Sequence, residues 1–324
     1  MASTKRILVT GGAGYIGSHL VHDLVEAGHQ VVVLDNLSLG RKENVPRQAR
    51  LIIGDVHEPE HLDQAFSGPV DVVFHFAAWK AAGESMIHPS KYGQNNICGS
   101  LRLIDACVKH QVPYFVFSSS AAVYGDPQYL PVDEKHPTRP VNYYGYTKLA
   151  IEENLQWYSK LKGLHYAALR YFNATGYDIK GRVKGKEKNP ANLSPVVMET
   201  IAGLRPKMQV FGNDYPTPDG TGIRDYIHVN DLASAHILAM EYLIKNQKNL
   251  VVNLGTGKGH SVLEVIRAAE KVTGKKVNYE IVARRPGDPP ELVASCELAY
   301  ELLGWKAQYS DLETIFKSMA SVYL

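Results

Sequence analysis

The stretch from Ile7 to Asp35 limits the fold more than any other part of the chain. Ile7-Leu8-Val9 is an apolar run without alternation, the pattern of a parallel strand buried on both faces. Thr10-Gly11-Gly12-Ala13-Gly14-Tyr15-Ile16-Gly17 follows, and an amphipathic run through His19, Leu20, Leu24 and Val25 closes at Gly28. Val31-Val32-Val33-Leu34 is a second buried strand, with Asp35 at its end. Gly12-x-Gly14-x-x-Gly17 is the spacing that a dinucleotide pyrophosphate needs. Glycines let the backbone turn and approach the phosphates, and the N–H groups of the new helix face the negative charge. Asp35 lies 18 residues past Gly17, where a carboxylate accepts hydrogen bonds from an adenosine ribose. The glycines alone fit an ordinary turn; strand, glycines, helix, strand and carboxylate together do not.

The alternation continues. Leu51-Ile52-Ile53-Gly54-Asp55-Val56 reads as a third strand, and Asp55 is either a cap for the next helix or a contact for the adenine. Val70 to Phe76 is a fourth strand, followed by the small pair Ala77-Ala78. A helix is expected from about Tyr92 to His110, then a fifth strand from Tyr114 to Phe117 that ends at Ser118-Ser119-Ser120. Strands alternating with helices imply right-handed crossovers and an α/β fold with a doubly wound, Rossmann-like parallel sheet. Ligands of such sheets bind beyond the carboxyl ends of the strands, where Gly11–Gly17, Asp35, Asp55, Ala77 and Ser120 all fall.

The second half changes character. Tyr166 to Tyr171 is another strand, and 173–225 is rich in Gly, Pro and Asn. Short strands at Val251–Gly255 and Lys276–Glu280 flank a helix that begins near Ser261, where Ser261-x-x-Glu264 forms a capping box. The expected division is a dinucleotide-binding domain over 1–176, with about 226–255 packing back on it, and a smaller mixed α/β substrate lobe over 177–324.

Composition excludes several classes. The 324 residues carry a net charge of +2 and no long basic run, so no nucleic-acid partner is expected; Lys180 to Lys188 reads as a solvated loop. Cys98, Cys107 and Cys296 are too few and too scattered for a zinc site or a disulfide framework, which fits a reducing compartment. Met1-Ala2-Ser3-Thr4-Lys5-Arg6 runs straight into the first strand without a secretory apolar region, and no stretch is long enough to span a bilayer. These features lead to the expectation of a cytoplasmic protein with no membrane partner and no metal.

Tyr144-Gly145-Tyr146-Thr147-Lys148 carries the sharpest chemical signal. Residues four apart on a helix share a face, so Lys148 lies beside Tyr144. Free tyrosine titrates near about pH 10. A neighbouring ammonium and the positive nicotinamide of an oxidised cofactor both favour the phenolate, which then serves as general base for an alcohol. Ser120 stands 24 residues earlier at a strand end, placed to share the hydrogen bond to the reacting oxygen.

Longer motifs extend the case. They are Gly11 to Gly17, His75-Phe76-Ala77-Ala78-Trp79-Lys80-Ala81-Ala82-Gly83-Glu84-Ser85, Ser118 to Gly125, Leu169-Arg170-Tyr171-Phe172-Asn173, Phe211 to Tyr215 and Gly220 to Val229. From about Lys5 to the C-terminal helix, the chain resembles the extended short-chain dehydrogenase/reductase family, within it the nucleotide-sugar 4-epimerases. The resemblance implies NAD, a UDP-hexose, reversible oxidation at the sugar C4 and a homodimer built on helices near Tyr92–His110 and Tyr146–Lys162. It gives Asp35 and Asn36 to the adenosine ribose, and Asp55 and Val56 to the adenine. Gly11, Gly14, Tyr15, Ile16 and Gly17 fall to the cofactor, as do Phe76, Ala77, Ala78 and Tyr171. Lys80, Asn95 and Lys148 hold the nicotinamide half. Ser120, Tyr144 and Lys148 are the catalytic set, with Ser120, Tyr144 and Lys80 also meeting substrate. Asn173, Asn192, Leu193, Phe211, Arg224, Arg285 and Asp288 hold the UDP. The arginines have a physical warrant, since two phosphates call for cationic, bidentate donors. Phe211 as core and Arg224 paired with Asp225 are the competing structural readings.

Two positions refine the expectation. Ala122 stands where the family carries Thr or Ser, which removes a polar contact to the sugar. Leu292, counted from Arg285-Pro286-Gly287-Asp288, stands at the family's gate beside the sugar C2 substituent. Two rivals are weighed. A 4,6-dehydratase has an Asp-Glu pair where Ala121-Ala122 stand here. An NAD-binding protein without turnover has no use for Ser120, Tyr144 and Lys148 together.

Overall fold

A computed structural model describes residues 4–285 and 288–324. Met1, Ala2 and Ser3 of the N-terminal reading, and Pro286 and Gly287 of the motif counted toward Leu292, lie outside the described residues. The elements run β1 (Arg6–Thr10), α1 (Tyr15–Glu26), β2 (Gln30–Asp35), β3 (Arg50–Ile53), α2 (Pro59–Ala65), β4 (Val72–His75), α3 (Ala82–Ile87), α4 (Pro89–Tyr92), α5 (Gly99–Lys109) and β5 (Tyr114–Ser120). Next come α6 (Tyr143–Lys162), β6 (His165–Tyr171), β7 (Asn173–Thr175), α7 (Leu193–Ile201), β8 (Met208–Phe211), β9 (Ile223–His228) and α8 (Val229–Asn246). The chain ends with β10 (Leu250–Leu254), β11 (Gly259–Ser261), α9 (Val262–Thr273), β12 (Tyr279–Val282), β13 (Glu291–Leu292), α10 (Glu297–Leu303) and α11 (Leu312–Tyr323).

A seven-stranded sheet in the order β3-β2-β1-β4-β5-β6-β10 forms the centre of the first compact unit, which comprises Met1–Gly125, Thr138–Arg170 and Ala233–Val252. The pairs β1–β2, β1–β4, β2–β3 and β4–β5 are all parallel. Ile7, Leu8 and Val9 are fully buried, as a strand covered by helices on both faces requires. Burying each such side chain contributes about 1.5–3 kcal/mol, so this run anchors the sheet before any ligand is considered. Strand order reverses between β1 and β4, and the glycine loop leaves β1 at that switch point.

The helix expected over 92–110 is not continuous. A π-helical turn, Gly93–Cys98, separates α4 from α5. Such widened turns occur where a side chain must be re-aimed. Here the buried Asn96 accepts from the Trp79 N–H at 2.9 Å, and donates to the Trp79 carbonyl and to Thr147 Oγ1, both at 3.0 Å. One amide thus ties the Lys80 segment to the helix that carries Lys148.

The second unit comprises Asp126–Pro137, Tyr171–Leu232 and Asn253–Leu324. Its sheet runs β11-β9-β13 with β7 also on β9, and β8 pairs with β12 in parallel. The capping box of α9 is present: Glu264 N donates to Ser261 Oγ at 3.1 Å and Ser261 N to Glu264 Oε2 at 2.8 Å. The strand expected at Lys276–Glu280 is displaced to Tyr279–Val282, because Glu270 captures Lys276 at 2.8 Å and the Val277 N–H at 3.0 Å.

Candidate active site

The glycine loop and the end of β4 meet backbone to backbone. A Cβ on Gly11, whose φ is +73°, would lie 2.6 Å from the Ala77 nitrogen, and one on Gly17 would lie 2.4 Å from the Gly11 carbonyl oxygen. No larger residue fits either place. Gly14 is the N-cap of α1 and caps it with no side chain, and the first turn holds no acid, so this helix start favours a bound anion. Asp35 is buried, accepting from the Ala13 N–H at 2.9 Å and the Leu37 N–H at 2.8 Å; it fixes the loop as well as closing β2. Asn36 Nδ2 donates to Asp55 at 2.8 Å, and Asp55 also accepts from the His57 N–H at 2.9 Å. Glu58, not Asp55, is the N-cap of α2, so the capping alternative for Asp55 falls. Val56 is buried beside it. Phe76 is half-buried, 4.8 Å from the His236 ring, and the exposed Lys80 holds its Nζ 5.7 Å from the Tyr15 ring. Asn95 donates to Asn96 at 3.0 Å. The residues present fit a dinucleotide: a cradle that only glycine permits, an uncapped helix and a placed carboxylate.

Tyr144 and Lys148 occupy the first two turns of α6. Asn142 caps this helix by accepting from the Gly145 N–H at 2.8 Å, and Ser85 Oγ accepts from the Tyr144 N–H at 3.0 Å. A Cβ on Gly145 would lie 2.3 Å from the Ala122 carbonyl oxygen, so glycine there seats the helix against the turn after Ser120. Ser120, at the end of β5, lowers the affinity of the Tyr144 hydroxyl for its proton. Lys148, 3% exposed, donates to the Ser118 carbonyl at 2.7 Å, with its Nζ 5.8 Å from the Tyr144 ring.

The electrostatics differ from the simplest sequence expectation. Burial pushes the Tyr144 hydroxyl up to about 12, against the lowering effect of Ser120. The protein's own groups therefore keep this hydroxyl protonated near neutrality, and the positive nicotinamide is the remaining influence that favours the phenolate. Burial brings the Lys148 ammonium down to about 7, and the Glu152 carboxylate opposes that fall. Glu152 lies one turn beyond Lys148, gripped by the Arg170 guanidinium at 2.5 to 3.2 Å and by Ser119 Oγ. Burial, with Lys148 nearby, holds His75 down to about 3. Ser100 Oγ donates to the Asn96 carbonyl, so His75 Nε2 donates to Ser100 at 2.7 Å and Nδ1 accepts from Thr10 at 2.6 Å.

The second unit contains a cavity of about 640 Å³. Asn173 on β7, Asn192 and Leu193 at the start of α7, Phe211 on β8, Arg224 on β9, and Arg285 and Asp288 all line it. Seven residues dispersed over the sequence thus converge on one space. Asn192 is the N-cap of α7 yet makes no capping hydrogen bond. Arg285 lies over the Phe211 ring at 3.8 Å, so Phe211 is a cavity wall, not core. Arg224 pairs with Asp288 and donates to the Pro289 carbonyl at 2.7 Å. Asp225 instead is fully buried, accepting from Thr256 Oγ1 at 2.7 Å and from the Thr256 and Gly257 N–H groups, so the Arg224–Asp225 pair does not form. Leu292 is the β13 partner of Arg224, half-buried and outside this lining; Tyr171 ends β6.

Sequence reasoning missed Tyr226, Gln209, Lys207 and Glu280 in the lining. Tyr226 had a signal, since it shares the strand face of Arg224 two residues earlier. Lys207 pairs with Glu280 at 2.6 Å only because β8 and β12 lie side by side, which no local pattern announces.

A glycine cradle at a switch point, with a lysine-backed tyrosine on the helix after β5, is the arrangement of a nicotinamide-dependent enzyme that acts on an alcohol. Residues 7–255 match the NAD dependent epimerase/dehydratase family, and the chain belongs to it. It is 48% identical over 311 residues to the UDP-glucose 4-epimerase of Halalkalibacterium halodurans, spanning 95% of this chain and 92% of that relative. It is also similar to the UDP-glucose 4-epimerase from Brucella ovis in complex with NAD (TM-score 0.96, 44% identity, 99% of this chain and 98% of that one). The UDP-glucose 4-epimerase from Bifidobacterium longum in complex with NAD+ and UDP gives a TM-score of 0.90 at 39% identity, over 97% and 96% of the two chains.

Proposed function

We propose that this chain interconverts UDP-glucose and UDP-galactose by NAD-dependent epimerisation at the sugar C4, through a transient 4-keto sugar. The observation that carries the reading is Lys148, buried on the same face of α6 as Tyr144 and seated on the Ser118 carbonyl at 2.7 Å, beside the strand end that carries Ser120. NAD held by the glycine loop and Asp35 would supply a reversible hydride acceptor for the sugar C4. Tyr144 removes the proton of the C4 hydroxyl and later gives it back. Ser120 shares the hydrogen bond to that oxygen, and Lys148 offsets the charge of the phenolate. Asp35 and Asn36 hold the adenosine ribose, Asp55 and Val56 flank the adenine, and Lys80 and Asn95 face the nicotinamide half. Tyr171 joins them.

The cavity of the second unit receives the UDP. Arg224 and Arg285 supply cations for the diphosphate, and the uncapped start of α7 at Asn192 and Leu193 adds backbone donors. Asn173, Phe211 and Asp288 complete the grip. Firm hold on the nucleotide and loose hold on the hexose let the keto sugar present either face; Ala122 leaves that hold looser still. In this division the NAD domain is 1–176 with help from about 226–255, and the UDP-sugar lobe is 177–324.

The working form is a homodimer in the cytoplasm. Tyr146, Trp157 and Leu161, 49%, 57% and 69% exposed on α6, support pairing through that helix. Among the described residues no helix is long and apolar enough to cross a membrane.

The test is product analysis with UDP-galactose. UDP-glucose is expected. A 4-keto-6-deoxy product would make the protein a dehydratase, against the absence of an acid at Ala121 and Ala122, and no product at all would leave only cofactor binding.

A further inference from the structure

Glu152 is buried behind the tyrosine and lysine of the first unit, and the reaction above gives it no task. It stands four residues after Lys148 on α6, so the two side chains share one face of that helix. Both dock on consecutive residues of β5. Lys148 Nζ donates to the Ser118 carbonyl at 2.7 Å, and Ser119 Oγ donates to Glu152 Oε1. Ser120 follows directly. From β6, Arg170 grips the same carboxylate through Nε at 3.0 and 3.2 Å and through Nη2 at 2.5 Å. Its Nη1 donates to the Tyr124 hydroxyl at 3.1 Å.

Replacing a buried ion pair by apolar groups of similar size is often neutral or stabilising, so stability alone is a weak reason for this arrangement. The carboxylate has two buried cations for neighbours, Arg170 and, one turn away, Lys148. The groups that face Lys148 from other elements bring no charge. The Phe117 ring of β5 lies 4.8 Å from its Nζ, and His75 of β4, stacked on that ring at 6.0 Å, is held neutral by burial. Tyr144 keeps its proton near neutrality. So does Tyr166, on the Arg170 face of β6, through burial first and this carboxylate second. Glu152 is thus the negative charge that acts on Lys148. Arg170 and Ser119 hold it in place, so it does not swing to the ammonium and cancel the field at Tyr144.

We propose that Glu152 is a positioning residue for Lys148: clamped by Arg170 and Ser119, it holds a fixed negative charge one helical turn away and so keeps the ammonium charged where Tyr144 loses its proton. This rests on the reading of Tyr144 and Lys148 as the pair that serves proton transfer.

The experiment follows kcat for UDP-galactose against pH in wild type, Glu152→Gln and the double variant Glu152→Gln/Arg170→Met. The double variant removes both charges of the pair, so it folds without an unpaired guanidinium in the core. In parallel the Lys148 ammonium is titrated by NMR of protein carrying nitrogen-labelled lysine, its signal assigned by its loss in Lys148→Met. Loss of the lysine charge ends its help to the phenolate, so kcat falls as pH rises through the lysine's titration. In both variants an opposite charge beside the ammonium is gone. The NMR midpoint and the alkaline limb of kcat are expected to move down together, by about one pH unit. A merely structural role would lower kcat by the same factor at every pH. A midpoint within about a third of a unit of wild type in the folded variants overturns the proposal. A midpoint that moves while kcat keeps the wild-type profile would uphold the part played by Glu152 and remove Lys148 from the reading of the reaction.

Discussion

The Lys148 ammonium is anchored to the Ser118 carbonyl, 2.7 Å away, and not to Tyr144, whose ring centre lies 5.8 Å from the same nitrogen. The lysine therefore acts on the tyrosine through space, from a fixed seat at the end of β5. Glu152 and Arg170 stand behind that seat, both almost wholly buried, so the charge beside the reacting hydroxyl is set by a closed network.

Tyr144→Phe is expected to lower turnover by at least about 10²-fold, the usual effect of losing a general base. The ring and its packing remain, so NAD and UDP should bind as before. Steady-state rates and calorimetry on the same preparation check this. Near-normal turnover would move the role to another group, with Tyr143 next in line.

Lys148→Met should lose activity by a similar factor and yet stabilise the fold near neutral pH. Lys148 titrates at about 7 in the fold and near 10.5 in the unfolded chain. Between those values the unfolded chain holds the proton and the fold does not, so this group makes stability rise with pH from about 7 to 10.5. Below 7 the whole cost of burying the ammonium remains. Denaturant titrations across this range should show a slope of about 1.4 kcal/mol per pH unit from this one proton at its steepest, absent in the variant. A variant with the wild-type slope would show that the lysine is not desolvated.

Much of the first unit could be read from its sequence because it is built from short-range rules. Ile7-Leu8-Val9 and Val31 to Leu34 are apolar without alternation because helices cover the sheet on both faces, and both are buried strands. The Ser261–Glu264 box is likewise local chemistry, and it formed as expected. What escaped depends on distant partners. The π turn at Gly93–Cys98 follows from the demand of Asn96 for Trp79 and Thr147, 17 and 51 residues away. Arg224 pairs with Asp288 and not the adjacent Asp225, because β9 turns the two side chains to opposite faces.

The cofactor released on denaturing the purified protein should be NAD and not its 2′-phosphorylated form. Asp35 is held by the Ala13 and Leu37 N–H groups, and Asn36, bonded to Asp55, offers no cation to a phosphate. A carboxylate fixed at the ribose repels a 2′-phosphate. Chromatography of the released nucleotide decides the matter, and a predominance of the phosphorylated form would remove Asp35 from the ribose.

The choice of hexose is expected to turn on Leu292. It is the β13 neighbour of Arg224, in parallel register, and is only half-buried, so it is not committed to the core. Leucine is shorter than tyrosine and has no hydroxyl, but it is bulkier than cysteine or serine. A difference of a few carbons in a pocket is worth about 1–3 kcal/mol, which gives a preference and not an absolute bar. UDP-glucose and UDP-galactose are therefore expected as the main pair, with weaker turnover of the N-acetylated counterparts. Leu292→Tyr should abolish the weaker activity and spare the main one, because a bulkier side chain at a gate disfavours the larger C2 substituent. Parallel assays with UDP-galactose and UDP-N-acetylgalactosamine on both proteins provide the check. No N-acetyl turnover by wild type, or its survival in the tyrosine variant, would show that Leu292 is not the gate.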